Sequence, residues 1–453
     1  MTAQLVALGI FVAVFAIGAI RNVNIGIVMF PFAAAVGLSL ADMALEDVIG
    51  GFPLSILVLL VGVTYFFGIA HSNGTIEWVV AATIAKVSGR DRLYPLVFFL
   101  LTAMISAMGA PLGGLVVAPV GMTVAARRGL DPMLMALAMG TGLSAGAFMP
   151  TSLFGIITWG TADAAGIELS PLLLAAVAII ANLILLAVAY LLFGRGTVAA
   201  GTAAETVVPA GAAAGGSPTG RPLSRYGQSS LVVPSDADTG ADTEAPAPLT
   251  RVQLLTLVAI VLLVATVVVL SITGHEPDIG VLGFAFAALL AVVDPDAGKS
   301  ATSRIDWGSV LLVGGIITYV GVLTEMGVLD MLGESAAAIG TPLLAAVLLC
   351  AVAGLVSAFA STTGMLAALV PLALPLIGDS SIPGWAMICA IGVCSSIVDV
   401  SPFSTVGATY VAAAEEADRP RMTKLLSVWG LSMVVIGPLV LTLTLIIPGM
   451  VLG

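Results

Sequence analysis

The chain has 453 residues, of which 59% are hydrophobic and only 9% charged, with a mean hydropathy of +1.16. Soluble domains carry about a quarter charged residues, so this composition excludes an ordinary soluble enzyme and makes a polytopic membrane protein the expectation. The formal net charge is −11 and no basic block is present that could track a phosphate backbone, which excludes a nucleic-acid binder.

In chain order, apolar spans are predicted near residues 3–20, 23–40 and 52–70. The first has no basic region before it and no small-residue cleavage site after it, so it is expected to be a retained span and not a signal peptide. A long segment follows at 93–127, interrupted by Gly109-Ala110-Pro111 and Gly113-Gly114. Next come a span over 132–160 broken at Pro150, and a span at 171–194. Residues 196–250 are rich in Ala, Gly, Pro, Ser and Thr and read as a disordered linker between two hydrophobic halves, 1–195 and 251–453. The second half gives spans at 252–272, 279–293 and 308–324. An interrupted segment at 342–377 is broken near Ser361-Thr362-Thr363-Gly364. A span at 384–413 is broken at Pro402, and the last span runs over 425–449.

The halves align as an internal repeat. Thr64-Tyr65 matches Thr318-Tyr319 at an offset of 254. Gly68, Gly74 and Glu77 match Gly321, Gly327 and Asp330 at 253, and Pro119 and Pro150 match Pro371 and Pro402 at 252. If 93–127 and 342–377 are re-entrant hairpins, each repeat crosses the membrane five times, and the second repeat is inverted. All 15 Lys and Arg then fall on one side, from Arg21 and Lys86 through Arg127 and Arg128 to Arg304, Arg419, Arg421 and Lys424. The opposite loops hold Asp42, Glu46, Asp47, Asp163, Glu168, Glu276, Asp278, Glu325, Asp330, Glu334 and Asp379 with no base. The positive-inside rule makes the basic side cytoplasmic, with the linker inside and both termini outside. The expected fold class is therefore an all-α polytopic membrane protein of two inverted repeats. Each repeat has five transmembrane helices, one re-entrant hairpin and a helix split at the midplane.

Broken helices are tolerated in a bilayer only where they line a cavity or are buried in protein. A helix beginning at the midplane presents free N–H groups and a positive dipole end, and small or hydroxyl residues there admit an anion. The first repeat offers Gly109, Ala110, Pro111, Leu112 and Gly113 at the hairpin tip and Pro150, Thr151 and Ser152 in the split helix. The second offers Ser361, Thr362, Thr363 and Gly364 at the tip and Ser401, Pro402, Ser404 and Thr405 in the split helix. No Lys or Arg lies near these breaks, so a dicarboxylate there calls for a co-bound cation. Asp399, an acid within an apolar run just before Pro402, is a candidate cation ligand or proton carrier.

Other patterns carry less. Gly140-Thr141-Gly142-Leu143-Ser144-Ala145 fits a dinucleotide fingerprint only on paper, since no strand precedes it. His71 is expected at the cytoplasmic end of its span and Glu325 at the outer end of its own. Cys350, Cys389 and Cys394 have no metal spacing and read as small core residues. No cofactor and no enzyme active site is expected.

The repeat order, opposed hairpins and split helices resemble the divalent-anion/sodium symporter family of the ion transporter superfamily, over the whole chain except the linker. The stretches 59–70 (LLVGVTYFFGIA), 72–76 (SNGTI) and 399–405 (DVSPFST) are similar to its malonate/dicarboxylate carrier (MatC-type) branch. The resemblance implies a Ser-Asn-Thr motif at each tip that binds carboxylate and sodium. Here the second tip reads Ser361-Thr362-Thr363, ten residues before Pro371, with Thr362 in place of Asn. The first tip, Gly109-Ala110-Pro111, carries none of the three side chains. A second sodium site is implied at Ser357, Ala360 and Thr362, while Ser106, Ser144 or backbone could build the first. Ser401-Pro402 corresponds to a Thr-Pro substrate motif. A homodimer with elevator-type movement is also implied.

The expected function is secondary active symport of a small C3–C4 dicarboxylate such as malonate or succinate across the cytoplasmic membrane, coupled to Na⁺ or H⁺. A carrier of tricarboxylate, gluconate or an inorganic oxyanion and, in another class, an anion channel are the alternatives; saturable cation-coupled counterflow separates carrier from channel.

Overall fold

The computed structural model describes residues 2–21, 23–85, 91–109, 115, 117–194, 248–273, 278–328, 331, 342–358, 362–373, 377 and 382–452. Nearly all of the 196–250 linker, the tip residues Ala110, Pro111, Leu112 and Gly113, and Ala360 and Ser361 lie outside the described residues.

Among the described residues all regular structure is helical. The first half comprises α1 (Thr2–Arg21), α2 (Ile25–Leu40), α3 (Leu45–Gly50), α4 (Leu54–Ser72), α5 (Thr75–Ala85), α6 (Tyr94–Ala107), α7 (Ala118–Arg128), α8 (Pro132–Ala147), α9 (Leu153–Ala164) and α10 (Pro171–Phe193). The second comprises α11 (Arg251–Ile272), α12 (Ile279–Val293), α13 (Pro295–Thr302), α14 (Trp307–Glu325), α15 (Pro342–Ser357), α16 (Thr362–Leu372), α17 (Gly384–Ile397), α18 (Thr405–Ala413) and α19 (Arg419–Leu441). A π turn at Thr442–Ile446 and a last helix, α20 (Ile447–Leu452), follow. Pro448 would crowd the carbonyl four residues back in a regular helix, and the widened turn before it gives that carbonyl room. Among the described residues five helical stretches are long and apolar enough to cross a membrane: Leu45–Ser72, Pro171–Phe193, Arg251–Leu270, Trp307–Glu325 and Arg419–Val451.

Every predicted span has its helix, and both predicted splits are real: α8 stops three residues before Pro150 and α17 five before Pro402. Three short helices, α3, α5 and α13, were not predicted, because each is too short to carry a periodic signal. Polar residues begin two of them: Asp294 Oδ1 accepts from Ala297 N at 3.0 Å ahead of α13, and Asn73 Oδ1 from Thr75 N at 3.1 Å ahead of α5.

Two groups of helices can be distinguished, and they meet where α14 packs on α16 and α4 on α9. In one, α2 lies along α14 and α4 along α12, each contact joining the first half to the second. Glycines permit this closeness: a Cβ on Gly26 would fall on the backbone of Leu311 and Leu312, and one on Gly280 on the backbone of Leu59. In the other group α8 and α17 are central. Every residue of α8 is buried, as is Ala386–Ile397 of α17. Apolar helices rich in Gly, Ala and Ser can bury their whole circumference because small side chains let backbones approach. Around them pack α6 and α10 on α8, and α15 and α19 on α17.

Contacts at the helix ends fix relative directions. Arg128, closing α7, sits 5.4 Å from the Tyr94 ring that opens α6, so these two arms run in opposite senses with their outer ends together. Arg304 Nε donates to Ser72 Oγ at 3.2 Å, which puts the end of α4 beside the start of α14. These counterparts from the two halves therefore run in opposite directions. Gly74 and Gly327, which follow them, both adopt left-handed backbone, with φ of 74° and 67°. At the same end as Arg304, Gln253 Nε2 reaches Asn73 O at 3.3 Å, and Asn24 Nδ2 reaches Gly308 O at 2.7 Å. At the other end of α14, Gln4 Nε2 donates to Met326 O at 2.8 Å. There a cavity of about 740 Å³ is lined by Asp42, Glu46, Asp47 and the exposed Glu325.

Candidate functional site: two helix breaks and a buried carboxylate

Each split helix breaks beside the inner end of a hairpin arm, and hydroxyls tie the two together. In the first half Thr151 Oγ1 donates to Ala107 O at 2.7 Å and Ser152 Oγ to Ser106 O at 2.6 Å. In the second, Ser401 Oγ donates to Ala358 O at 3.1 Å. The carbonyls of a helix that ends inside the protein need such donors. The second arm of each hairpin packs across the divide: α16 on α9, and α18 on α7. The starts of α9, α16 and α18 thus belong to one interlocked group.

The helix starts differ chemically. Ser404 caps α18, its Oγ accepting from Gly407 N at 3.2 Å while its hydroxyl proton goes to the Asp399 carbonyl. Ser152 stands at the same place before α9 but makes no side-chain cap, because its hydroxyl is turned to Ser106 O. Among the described residues no side chain accepts from the first N–H groups of α9, which lie in a buried setting that favours an incoming anion.

The third feature is Asp399. Its Oδ2 accepts from Thr362 Oγ1 at 2.5 Å, Ser357 Oγ lies 3.4 Å from its Oδ1, and the two hydroxyls are 2.8 Å apart. All three residues are buried, Ser357 completely. Ser357 closes α15, Thr362 opens α16, and Asp399 follows the end of α17, so the group joins the hairpin to the split helix. The described partners of the carboxylate are neutral hydroxyls. A buried carboxylate without a cationic partner is costly as the bare anion, by several kcal/mol, so a bound cation or a proton relieves it. Carboxylate and hydroxyl oxygens are hard donors of the kind that suit Na⁺.

Of the predicted cation residues, then, the structure brings Ser357, Thr362 and Asp399 together. Ser106 sits at the first break, where its carbonyl is used. Ser144 lies elsewhere, its hydroxyl donating to Ser396 Oγ at 2.7 Å. Among the predicted substrate residues, Gly109 ends the first arm with φ of 96°. Thr151, Ser152, Ser401 and Ser404 are buried at the breaks, Thr363 and Pro402 are half-buried, and Thr405 is exposed. Sequence reasoning passed over Ser396 and Asn182. Ser396 stands 252 residues after Ser144, the offset of the two break prolines, and that signal could have found it. Asn182 is a lone amide in an apolar run. The Asp131–Arg421 pair was also missed: Arg421 Nη2 lies 2.7 Å from Asp131 Oδ2 and Nη1 3.2 Å from Oδ1, joining the start of α8 to the start of α19. His71 Nδ1 lies 2.9 Å from Glu77 Oε1 at the elbow after α4. The glycine-rich run from Gly140 is an interior stretch of α8.

An all-helical, apolar molecule whose buried polar groups gather at broken helices has the makings of a membrane carrier. Residues 1–147 match the family described as dicarboxylate carrier protein MatC N-terminus, a region ending at the close of α8. The match supports a MatC-type dicarboxylate carrier and hence a transporter rather than an enzyme. No curated protein matches the chain.

Proposed function

We propose that the protein is a secondary active symporter of a small C3–C4 dicarboxylate such as malonate or succinate, coupled to one cation, Na⁺ or H⁺. The observation that carries this reading is the Ser357–Thr362–Asp399 group: a buried carboxylate held by hydroxyls at a helix break, in a chain whose N-terminal third matches a dicarboxylate carrier. Substrate carboxylates would be received at the break regions, by the open start of α9 and small residues at the first break and by Thr363, Ser401 and the start of α18 at the second. The cation at Asp399 supplies the positive charge that the anion lacks in a site without Lys or Arg.

The opposed directions of α4 and α14, and the paired outer ends of α6 and α7, support two inverted repeats with re-entrant hairpins. The Arg304 end is then cytoplasmic, with the linker, and the end with the acidic cavity and the N-terminus is outside. We read the α2/α4/α12/α14 group and the α8/α17 group as the fixed and the moving body of an elevator, meeting where α4 packs on α9 and α14 on α16. A homodimer in the cytoplasmic membrane completes this reading.

The test is uptake of labelled malonate and succinate by the purified chain in proteoliposomes, with a Na⁺ gradient, a pH gradient or neither. Saturable uptake driven by one of the gradients is expected. Ionic conductance without saturable, gradient-coupled uptake would replace the carrier by a channel.

A further inference from the structure

Ser144 and Ser396 are counterparts in the two halves, and they touch. Their hydroxyl oxygens are 2.7 Å apart and the residues differ by 396 − 144 = 252 positions, the same offset as the break prolines. Each therefore precedes its proline by the same distance, 150 − 144 = 402 − 396 = 6. Each lies in the last turn of the first half of its split helix, α8 ending at Ala147 and α17 at Ile397. Contact between counterparts marks where the two split helices cross, and it fixes their inner ends at one separation.

A third residue completes the junction. Asn182 of α10, fully buried, donates through Nδ2 to Ser144 Oγ at 3.1 Å and to Ala178 O at 2.9 Å. Ser144 donates to Ser396, and Ser396 donates to Val393 O at 3.1 Å. Each hydroxyl spends its single proton, so the chain runs in one direction from α10 through α8 into α17. It also reaches the carboxylate site, because the Ser396 carbonyl accepts the Asp399 N–H at 3.1 Å. Asn182 Oδ1 is buried without a hydrogen-bond partner among the described residues, but every donor of the chain is used, and a buried directional chain of this kind favours one geometry.

We propose that Asn182, Ser144 and Ser396 are positioning residues that fix the spacing between the two breaks and the orientation of Asp399, and so select the length of the diacid carried. This rests on the dicarboxylate reading given above. An extended diacid bridging the two breaks senses their separation directly, and one methylene is enough to discriminate about tenfold in a fitted site.

The experiment compares malonate and succinate uptake by the full chain in proteoliposomes for wild type, Ser396→Ala and the double variant Ser144→Ala/Ser396→Ala. The expected result is a change of about fivefold or more in the malonate-to-succinate KM ratio, with a shift in half-saturating cation and a smaller change in kcat. A Ser144→Cys/Ser396→Cys variant, with Cys350, Cys389 and Cys394 replaced by Ala, is oxidised to link the two positions. The linked protein is expected to transport with the native KM ratio. An unchanged KM ratio and cation half-saturation in the double alanine variant would overturn the spacer. So would loss of uptake on cross-linking, since the breaks would then have to separate during transport. If wild type carries both acids and these results appear, only the spacer fails; a wild type that carries neither acid removes the dicarboxylate reading and the spacer with it.

Discussion

At the second helix break the carboxylate of Asp399 sits between the hydroxyls of Ser357 and Thr362. Subtracting the 252-residue offset, the same three positions in the first half hold Ala147, Ile105 and Ala110. An ionic cluster in one repeat is replaced by three apolar side chains in the other, while the surrounding design is kept: a hydroxyl at each break donates to the carbonyl of the neighbouring arm. Of the two breaks, then, only the second carries a charged side chain. The first is left with backbone and small residues, and α9 starts there without a side-chain cap. Under the carrier reading proposed above, such a pair would hold an anion on both sides while confining cation coupling to one.

Four substitutions test this division. The largest effect is expected from Asp399→Asn, which keeps size and hydrogen bonding but removes the charge. Gradient-driven uptake should fall by about 100-fold or become indifferent to the cation, since breaking a buried charge site costs about 3–5 kcal/mol. Full transport with unchanged pH and cation dependence would dismiss Asp399 from coupling. Thr362→Val comes next. Loss of a hydrogen bond to a charged group, about 1.5–3 kcal/mol, should raise the half-saturating cation concentration by about tenfold or more. Ser357→Ala, whose contact with the carboxylate is the longer at 3.4 Å, should do markedly less in the same titration. The smallest transport effect belongs to the first break. Ser152→Ala leaves the Ser106 carbonyl without that donor and should lower stability by about 1–3 kcal/mol in a thermal melt, with cation half-saturation untouched. A cation shift there comparable to that of Thr362→Val would erase the contrast between the halves.

Much of this architecture was legible in the sequence. Span after span was announced by apolar length, and both split helices by Pro150 and Pro402, because membrane helices carry their own hydrogen bonds and need little tertiary help. Asp399 stood out as an acid in apolar surroundings. Thr362 stood out at the hairpin-tip break, but its part in a cation site, and Ser357 altogether, came through family resemblance, because they lie 37 and 42 positions before Asp399 and no local pattern links them to it. Asn182 and the Asp131–Arg421 pair were invisible for the same reason, each being defined by a partner on another helix, whereas Ser396 was marked only by its 252-residue offset from Ser144. Helices α3, α5 and α13 were lost to brevity.

The glycine-lined crossings of α2 with α14 and α4 with α12 bear on how the chain is made. Neither half owns a complete scaffold; each lends one helix to a groove whose other wall is synthesised later or earlier. On the ribosome the first half is made before α12 and α14, so the faces of α2 and α4 that those helices cover stay uncovered by them until they emerge. Those grooves are therefore where a chaperone of membrane insertion, or a premature neighbour, would compete with the chain's own second half.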